Sequence, residues 1–176
     1  QTGYTGQHAA NFRRNYHAAK DSAEFITKLE TEENIKVKTF STTGVNAFSS
    51  IVKESLEFEK QANVNDNLIY INPMIFLHVS KCPFTQAERQ LPLEMPYAEQ
   101  IIQVTNLTIP EGYTVDELPA PLNAFTEDKQ GFCRYLVHQN GNQLIITYSF
   151  SSNKLIYPTS EYKLVKSFWE LIAKKN

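Results

Sequence analysis

Two alternating segments around Asn140-Gly141 constrain the fold of this chain more than any other feature. Polar and apolar residues alternate along 132–139 and again along 143–151. Alternation with a period of two is typical of a half-buried β-strand. Asn-Gly supplies the two positive φ angles that a type I′ turn needs. The sequence therefore predicts an antiparallel hairpin that turns at Asn140-Gly141.

Further extended segments precede and follow the hairpin. The longest predicted strand is 99–109, which Pro110-Glu111-Gly112 ends with turn chemistry. Residues 84–96 are predicted to form an edge strand or an extended loop, because prolines cannot donate to a sheet ladder. The remaining predictions are extended segments at 35–39, 52–58, 68–71, 113–118 and 155–157, a polar turn at 63–67 and a short apolar segment at 74–79. Strands at intervals of about 8 to 12 residues favour an antiparallel β-sandwich.

Apolar residues recur at helical spacing near both ends of the chain. Residues 6–33 carry one apolar face, and Asp21 followed by Glu24 has the form of a capping box, which predicts two helices that break near Asp21. Residues 160–174 predict an amphipathic helix capped by Thr159 or Ser160. Its apolar face, which we expect to lie on a sheet, comprises Tyr162, Val165, Phe168, Trp169 and Ile172.

These segments together predict an α+β fold: an antiparallel β-sandwich preceded by two helices and closed by a C-terminal amphipathic helix. We predict a helical segment at 1–33, which could link to an upstream domain, and a β-sandwich domain at 34–176. With 176 residues the chain is long enough to bury a core without staples. It begins at Gln1 rather than Met, which indicates a processed product or a piece of a longer protein.

Composition and motifs exclude several classes of function. The chain carries 17 Lys and Arg against 19 Asp and Glu, a net charge of −2, whereas nucleic-acid binders usually carry a basic stripe. No apolar run approaches the roughly 18 residues of a membrane span. The sequence also lacks the Gly-rich phosphate loops, the nucleophile elbow and the zinc motif HExxH. We therefore expect neither nucleic-acid partners nor a cofactor.

The two cysteines do not form a recognisable active site. Cys133 and His138 are five residues apart on one predicted strand, so they point to opposite faces and cannot act as a nucleophile and its base. Cys133 is predicted to be a small buried core residue. Cys82 follows His78 by four residues, but two ligands do not make a zinc site. A disulfide between Cys82 and Cys133 stays open at this stage.

The acidic residues, like the cysteines, do not indicate an active site. Glu54, Glu57 and Glu59 are predicted to lie on or near a solvated strand face. We therefore predict no catalytic residues and no metal-binding residues, and residue chemistry alone does not define the function.

Several segments in the second half of the chain resemble a known family. They are Ile69 to Leu77, Pro83-Phe84, Glu88-Arg89, the sequence NLTIPEGYTVDELP at 106–119, the Asn140-Gly141 turn and YPTSEYKLVKSFWELI at 157–172. In this order they resemble the C-terminal part of bacterial transglutaminase-like proteins. That family has an N-terminal β-rich domain, a papain-like core and a C-terminal domain of unknown function. The resemblance covers about residues 50 to 173.

The resemblance implies a role without catalysis for this chain. The catalytic Cys, His and Asp of the family belong to the core, which would lie upstream of Gln1, and no position here matches their motifs. The chain is then expected to be an accessory domain of a larger exported protein of Gram-negative bacteria, in the periplasm or at the cell surface. Its partner would be the core of the same chain, on which it would pack or whose cleft it would shape.

Two other functions remain open. The chain could be a self-contained β-sandwich module that binds a peptide or a glycan along an edge strand or across aromatic side chains. Candidate residues for that binding surface, all near predicted strand ends, are Tyr97, Tyr113 and Tyr157. It could also be a self-association element that uses unpaired sheet edges.

Overall fold

The fold is described from a computed structural model of the chain. The structure describes residues 1–48, 51–65, 68–72, 79 and 81–174. The chain divides into two compact units, Gln1–Phe76 and Leu77–Asn176. The predicted domain boundary between residues 33 and 34 stays a prediction. Among the described residues, no helix is both long and apolar enough to span a membrane.

The first unit combines two helices with short antiparallel strands. Its elements are β1 (Thr2–Tyr4), α1 (Gly6–Ala18), α2 (Ser22–Glu33), β2 (Lys36–Thr43), β3 (Val52–Glu59), β4 (Asn63–Asn65) and β5 (Leu68–Tyr70). Strand β3 pairs with β2 on one side and with β1 on the other, and β4 pairs with β5. The rings of Phe12 on α1 and Phe25 on α2 lie 5.6 Å apart, and Phe25 lies 5.5 Å from Phe40 on β2. Aromatic contacts therefore join both helices to the strands.

The predicted break between the two helices is confirmed. The Glu24 N–H donates to Asp21 Oδ1 at 2.9 Å, and the Lys20 N–H donates to Glu24 Oε2 at 2.7 Å. These bonds satisfy backbone donors at the start of α2 that have no partner within the helix. Helix α2 ends at Asn34, whose φ of 52° places it in the left-handed region common at helix ends.

Two predictions for the first unit were wrong or incomplete. Asn63–Asn65, predicted as part of a polar turn, forms strand β4 because it pairs with Leu68–Tyr70. Strand β1 has no counterpart in the predictions, since its three residues are too few to show a period. The predicted apolar segment 74–79 lies outside the described residues except at Val79, which is buried.

The second unit is built on a four-stranded antiparallel sheet. Its elements are β6 (Leu93–Glu94), β7 (Glu99–Thr108), β8 (Leu122–Phe125), β9 (Gly131–Asn140), β10 (Gln143–Ser152), β11 (Ile156–Tyr157), a 3₁₀ turn (Thr159–Glu161) and α3 (Tyr162–Ala173). The strands of the main sheet are ordered β7-β10-β9-β8, and β6 pairs with β11 in a separate two-stranded sheet. The predicted strand 99–109 is thus confirmed. No strand forms at 113–118, and β8 was not predicted.

The predicted hairpin is confirmed, but its turn differs. Asn140 pairs with Gln143, so the two loop residues are Gly141 and Asn142 rather than Asn140 and Gly141. Of these two loop residues, only Gly141 has a positive φ, 59°. One positive φ, at the first loop position, is the pattern of a type II′ turn, in which glycine takes that position.

Helix α3 covers the buried face of the main sheet. The five residues of its predicted apolar face are all buried, at 1–8% exposure, which confirms that prediction. The Trp169 ring lies 5.3 Å from the ring of Phe150, near the C-terminal end of β10. The predicted sandwich is not confirmed, because the described layer on this face is a helix and the β6–β11 sheet has only two strands.

The segment before β6 is attached to α3. The Tyr162 hydroxyl donates to Gln86 O at 2.9 Å, and the Lys166 ammonium donates to the same oxygen at 3.0 Å. The ring of Phe84 meets the ring of Trp169 edge-on at 5.8 Å. These contacts hold the irregular segment before β6 in place. The segment has almost no strand pairing of its own, which is the behaviour that its prolines predict.

Candidate functional site

A surface groove lies between strand β8 and helix α3 in the second unit. It encloses about 570 Å³, which is in the range of pockets that take small molecules or peptide segments. We call it the β8–α3 groove. Its lining residues come from β8 and the following turn, from Tyr157, and from one flank of α3.

The α3 flank of the groove carries exposed apolar side chains. Leu164 and Leu171 are 55% and 40% exposed, although both belong to a helix that buries a full apolar face. They are seven residues apart, so they lie on the same side of the helix, two turns from each other. Phe168 and Val165 lie between them at the buried floor of the groove. The helix thus extends its apolar surface beyond the area that the sheet covers.

The other wall of the groove is strand β8, which ends the sheet. Within the described residues, β8 pairs only with β9. The Thr126 N–H donates to Gly131 O at 2.9 Å, so Ala124 is the next β8 residue bonded toward β9. Antiparallel geometry then directs the N–H and C=O groups of Asn123 and Phe125 away from β9. The groove therefore has an open strand edge beside an apolar helix flank.

One end of the groove is acidic. The Asp128 carboxylate accepts hydrogen bonds from the Thr126 hydroxyl at 2.7 Å and from the Gln130 N–H at 3.1 Å. The Lys154 ammonium bridges Glu161, at 2.6 Å, and Asp128, at 3.0 Å. The Thr126 hydroxyl, together with Gln130 and Lys154, lowers the pKa of Asp128 to about 2. The hydrogen bonds to Glu161 and Asp128 raise the pKa of Lys154, so Lys154 and Asp128 face each other as opposite charges at neutral pH.

The three tyrosines predicted as a binding surface differ in their exposure and in their relation to the groove. Tyr157 lines the groove, but it is 2% exposed and the Lys154 ammonium lies 5.2 Å from its ring centre. Tyr97 is half-buried and Tyr113 is 43% exposed, and neither lines the groove. A binding role for Tyr97, Tyr113 and Tyr157 stays a prediction.

The residues that shape the groove were missed by sequence reasoning. The seven-residue spacing of Leu164 and Leu171 is visible in the sequence, beside the main apolar face of the helix. That signal does not show whether the two side chains are covered. Their exposure depends on where the sheet ends, which is decided by the pairing of β8 with β9.

Both cysteines are free thiols in structural positions. Cys133 is 1% exposed, as predicted, and burial raises its pKa to about 11. His138 on the same strand is exposed, which confirms that the two side chains take opposite faces. The Cys82 Sγ lies 3.7 Å from Phe84 O and 3.9 Å from Lys166 O, where it joins the irregular segment to α3. Among the residues that the structure describes, no three His, Cys, Asp or Glu side chains are grouped so as to hold a metal.

The prediction of a solvated carboxylate face holds only in part. Glu57 and Glu59 are exposed, but Glu54 is partly buried in the first unit. The Tyr4 hydroxyl donates to Glu54 Oε2 at 2.9 Å. Burial raises the pKa of Glu54 above its ordinary value, while the bond from Tyr4 opposes this change.

A comparison with known protein families finds one family that matches most of the chain. Residues 67–176 match the model of a domain of unknown function with a solved structure, DUF3858, and the chain belongs to this family. No match was found among curated proteins or among solved structures. The family match agrees with the domain of unknown function in the predicted resemblance. The link to transglutaminase-like proteins stays a prediction.

Proposed function

We propose that this chain is a non-catalytic accessory region of a larger transglutaminase-like protein of the cysteine peptidase or amidase type. It would pack on an upstream core or shape access to the cleft of that core. The observation that carries the proposal is the open edge of β8 beside the exposed flank of α3. Such a surface is suited to another polypeptide segment, because it offers both unpaired backbone groups and apolar contact area.

The positions of the thiols support a role without catalysis. A nucleophilic cysteine needs an accessible sulfur with a lowered pKa and a base beside it. Cys133 has the opposite properties, since it is buried and its pKa is raised. Cys82 contacts backbone carbonyl oxygens of the segment that it holds on α3. We infer that both cysteines serve the fold.

The cellular setting is proposed from the sequence resemblance. The segments at 106–119 and 157–172 resemble a family exported by Gram-negative bacteria. The protein would therefore act in the periplasm or at the cell surface.

An immunoblot of the producing cells tests the accessory role, with an antibody raised against the 176-residue chain. We expect a band far above 20.2 kDa, because the accessory role requires further domains on the same polypeptide. A band near 20.2 kDa would contradict the proposal. Hydrolase or acyl-transfer activity in the 176-residue chain that is lost in Cys82→Ala or Cys133→Ala would overturn it as well.

The second candidate function is a self-contained module that binds a peptide or a glycan. The volume of the β8–α3 groove favours this alternative, and it needs no further domain. Binding of the 176-residue chain to defined members of a peptide or glycan array would support it. Self-association through the β8 edge is a third candidate, which light scattering over a range of protein concentrations would detect as a rising mass.

A further inference from the structure

We propose that strand β8 accepts an extended peptide segment as an additional antiparallel strand. The segment would alternate apolar and polar residues and carry Lys or Arg at its N-terminal end. This inference rests on the proposed function, in which the β8–α3 groove receives another polypeptide. It adds the binding mode and the chemistry of the partner.

The backbone of β8 provides the first part of the argument. Asn123 and Phe125 direct their N–H and C=O groups toward the open edge, which gives four groups on two alternate residues. An antiparallel partner pairs with just such alternate residues. These bonds are independent of the partner's side chains, so they give affinity without sequence specificity.

The α3 flank provides the second part. An added strand would lie about 4.8 Å outside β8, and every second side chain would point to the helix side of the sheet. That side carries Leu164 and Leu171, which are about 10 Å apart along the helix axis. Alternate side chains of a strand are about 6.8 Å apart, so two of them span a length comparable to the distance between the leucines. The exposed flank of α3 is therefore the area that a fifth strand would cover.

The charges determine the polarity of the segment. The groove ends at the carboxylates of Glu127, Asp128 and Glu161, and Lys154 forms ion pairs with two of them, Asp128 and Glu161. Strand β8 runs from Leu122 toward this acidic end. An antiparallel segment therefore brings its N-terminal residues to the carboxylates, where Lys or Arg would be favoured.

Fluorescence anisotropy with labelled synthetic peptides tests the inference on the 176-residue chain. The probe is Lys-Arg-Val-Thr-Val-Thr-Val. One control peptide replaces both threonines by proline, which removes backbone donors, and another replaces Lys-Arg by Glu-Glu. We expect each control to bind at least about tenfold more weakly, and the charge effect to shrink in high salt.

Two variants of the chain locate the binding to the groove. Asn123→Pro removes an outward N–H but no bond to β9, and Leu171→Glu places a charge on the helix flank. We expect each to weaken binding of the probe at least about tenfold. Leu136→Glu is the matched control, because Leu136 is also 40% exposed but does not line the groove. The fluorescence of Trp169, the single tryptophan, checks that each variant is folded.

The outcomes separate this inference from the proposed function. Equal binding of the proline peptide, or no binding of any peptide to the folded chain, would refute strand addition. The accessory role would still stand if the immunoblot shows a band far above 20.2 kDa. A dimer that Asn123→Pro dissociates would show that the occupant is a second copy, and would also refute the inference.

Discussion

Gly131 is the one of the three glycines in the second unit, Gly112, Gly131 and Gly141, at which an added side chain would meet other atoms. A Cβ atom there would lie 2.6 Å from Thr126 Cγ2 and 3.3 Å from Phe168 Cε1. Thr126 cannot turn away without cost, because its hydroxyl accepts from the Gly131 N–H and donates to Asp128, both at 2.7 Å. We therefore predict that Gly131→Ala destabilises the fold.

The magnitude follows from three contributions. Overpacking a filled site costs about 1–3 kcal/mol, and rotating Thr126 instead would break two hydrogen bonds worth about 1 kcal/mol each. The reduced entropy of the unfolded chain offsets about 0.5 kcal/mol, because φ of Gly131 is not positive and alanine can adopt it. The expected net loss in free energy of unfolding is about 2 kcal/mol. For a chain of this length this corresponds to a decrease in Tm of about 4–8 °C.

Urea unfolding followed by Trp169 fluorescence measures this loss, because the ring is buried in the same unit. Thr126→Ser keeps the hydroxyl and removes Cγ2, so the double variant should recover at least half of the loss. Gly141→Ala is the control, since no atom lies within 4 Å of the added Cβ and only the positive φ is strained. A loss below about 0.5 kcal/mol for Gly131→Ala, or no recovery in the double variant, would refute the steric argument.

Three further predictions concern titratable groups. At pH 8 Ellman's reagent should modify Cys82 in the folded chain and Cys133 only after unfolding. The reason is that Cys133 is buried and burial raises its pKa to about 11. Two rapidly reacting thiols in the folded chain would contradict this prediction. The lowered pKa of Asp128 stabilises the fold above pH 4, and this contribution is lost progressively as the pH falls through about 2. Asp128→Asn should therefore cost less than about 1 kcal/mol in urea unfolding at pH 6, and clearly less at pH 2 than at pH 6. Burial raises the pKa of Glu54, so the ionised carboxylate destabilises the fold once the pH exceeds the ordinary pKa of a glutamate. Glu54→Gln should therefore raise Tm at pH 7 and leave it unchanged at pH 4. A lower Tm at pH 7 would show that the charge is favourable.

Local sequence patterns predict the elements whose signals lie within the element itself. The alternation of β7, β9 and β10, the apolar face of α3 and the capping box at Asp21 are all of this kind. Strands β1 and β8 were missed because they have only three and four residues, too few to show a period. The partner of β1 is also distant in the sequence, since Thr2 pairs with Glu54. The turn type of the hairpin was wrong because the register shifted the loop by one residue.

The candidate site was harder to predict than the fold. Aromatic residues near strand ends suggested Tyr97, Tyr113 and Tyr157, yet only Tyr157 lines the groove. The exposed flank of α3 arises because the sheet has no strand beyond β8 within the described residues. Periodicity shows which side chains share a helix face, but not how wide the neighbouring sheet is.

The order of strands in the main sheet has a consequence during synthesis. Strand β10 lies between β7 and β9, and the pairing of Thr108 with Gln143 joins positions 35 residues apart. A ribosome adds about 5–20 residues per second, so β7 leaves it roughly 2–7 s before its partner exists. During this interval the apolar residues of β7 have no β10 to pair with, and the nascent chain is exposed to misfolding. Slow translation between β7 and β10 would lengthen the interval in which Glu99–Thr108 has no β10 partner.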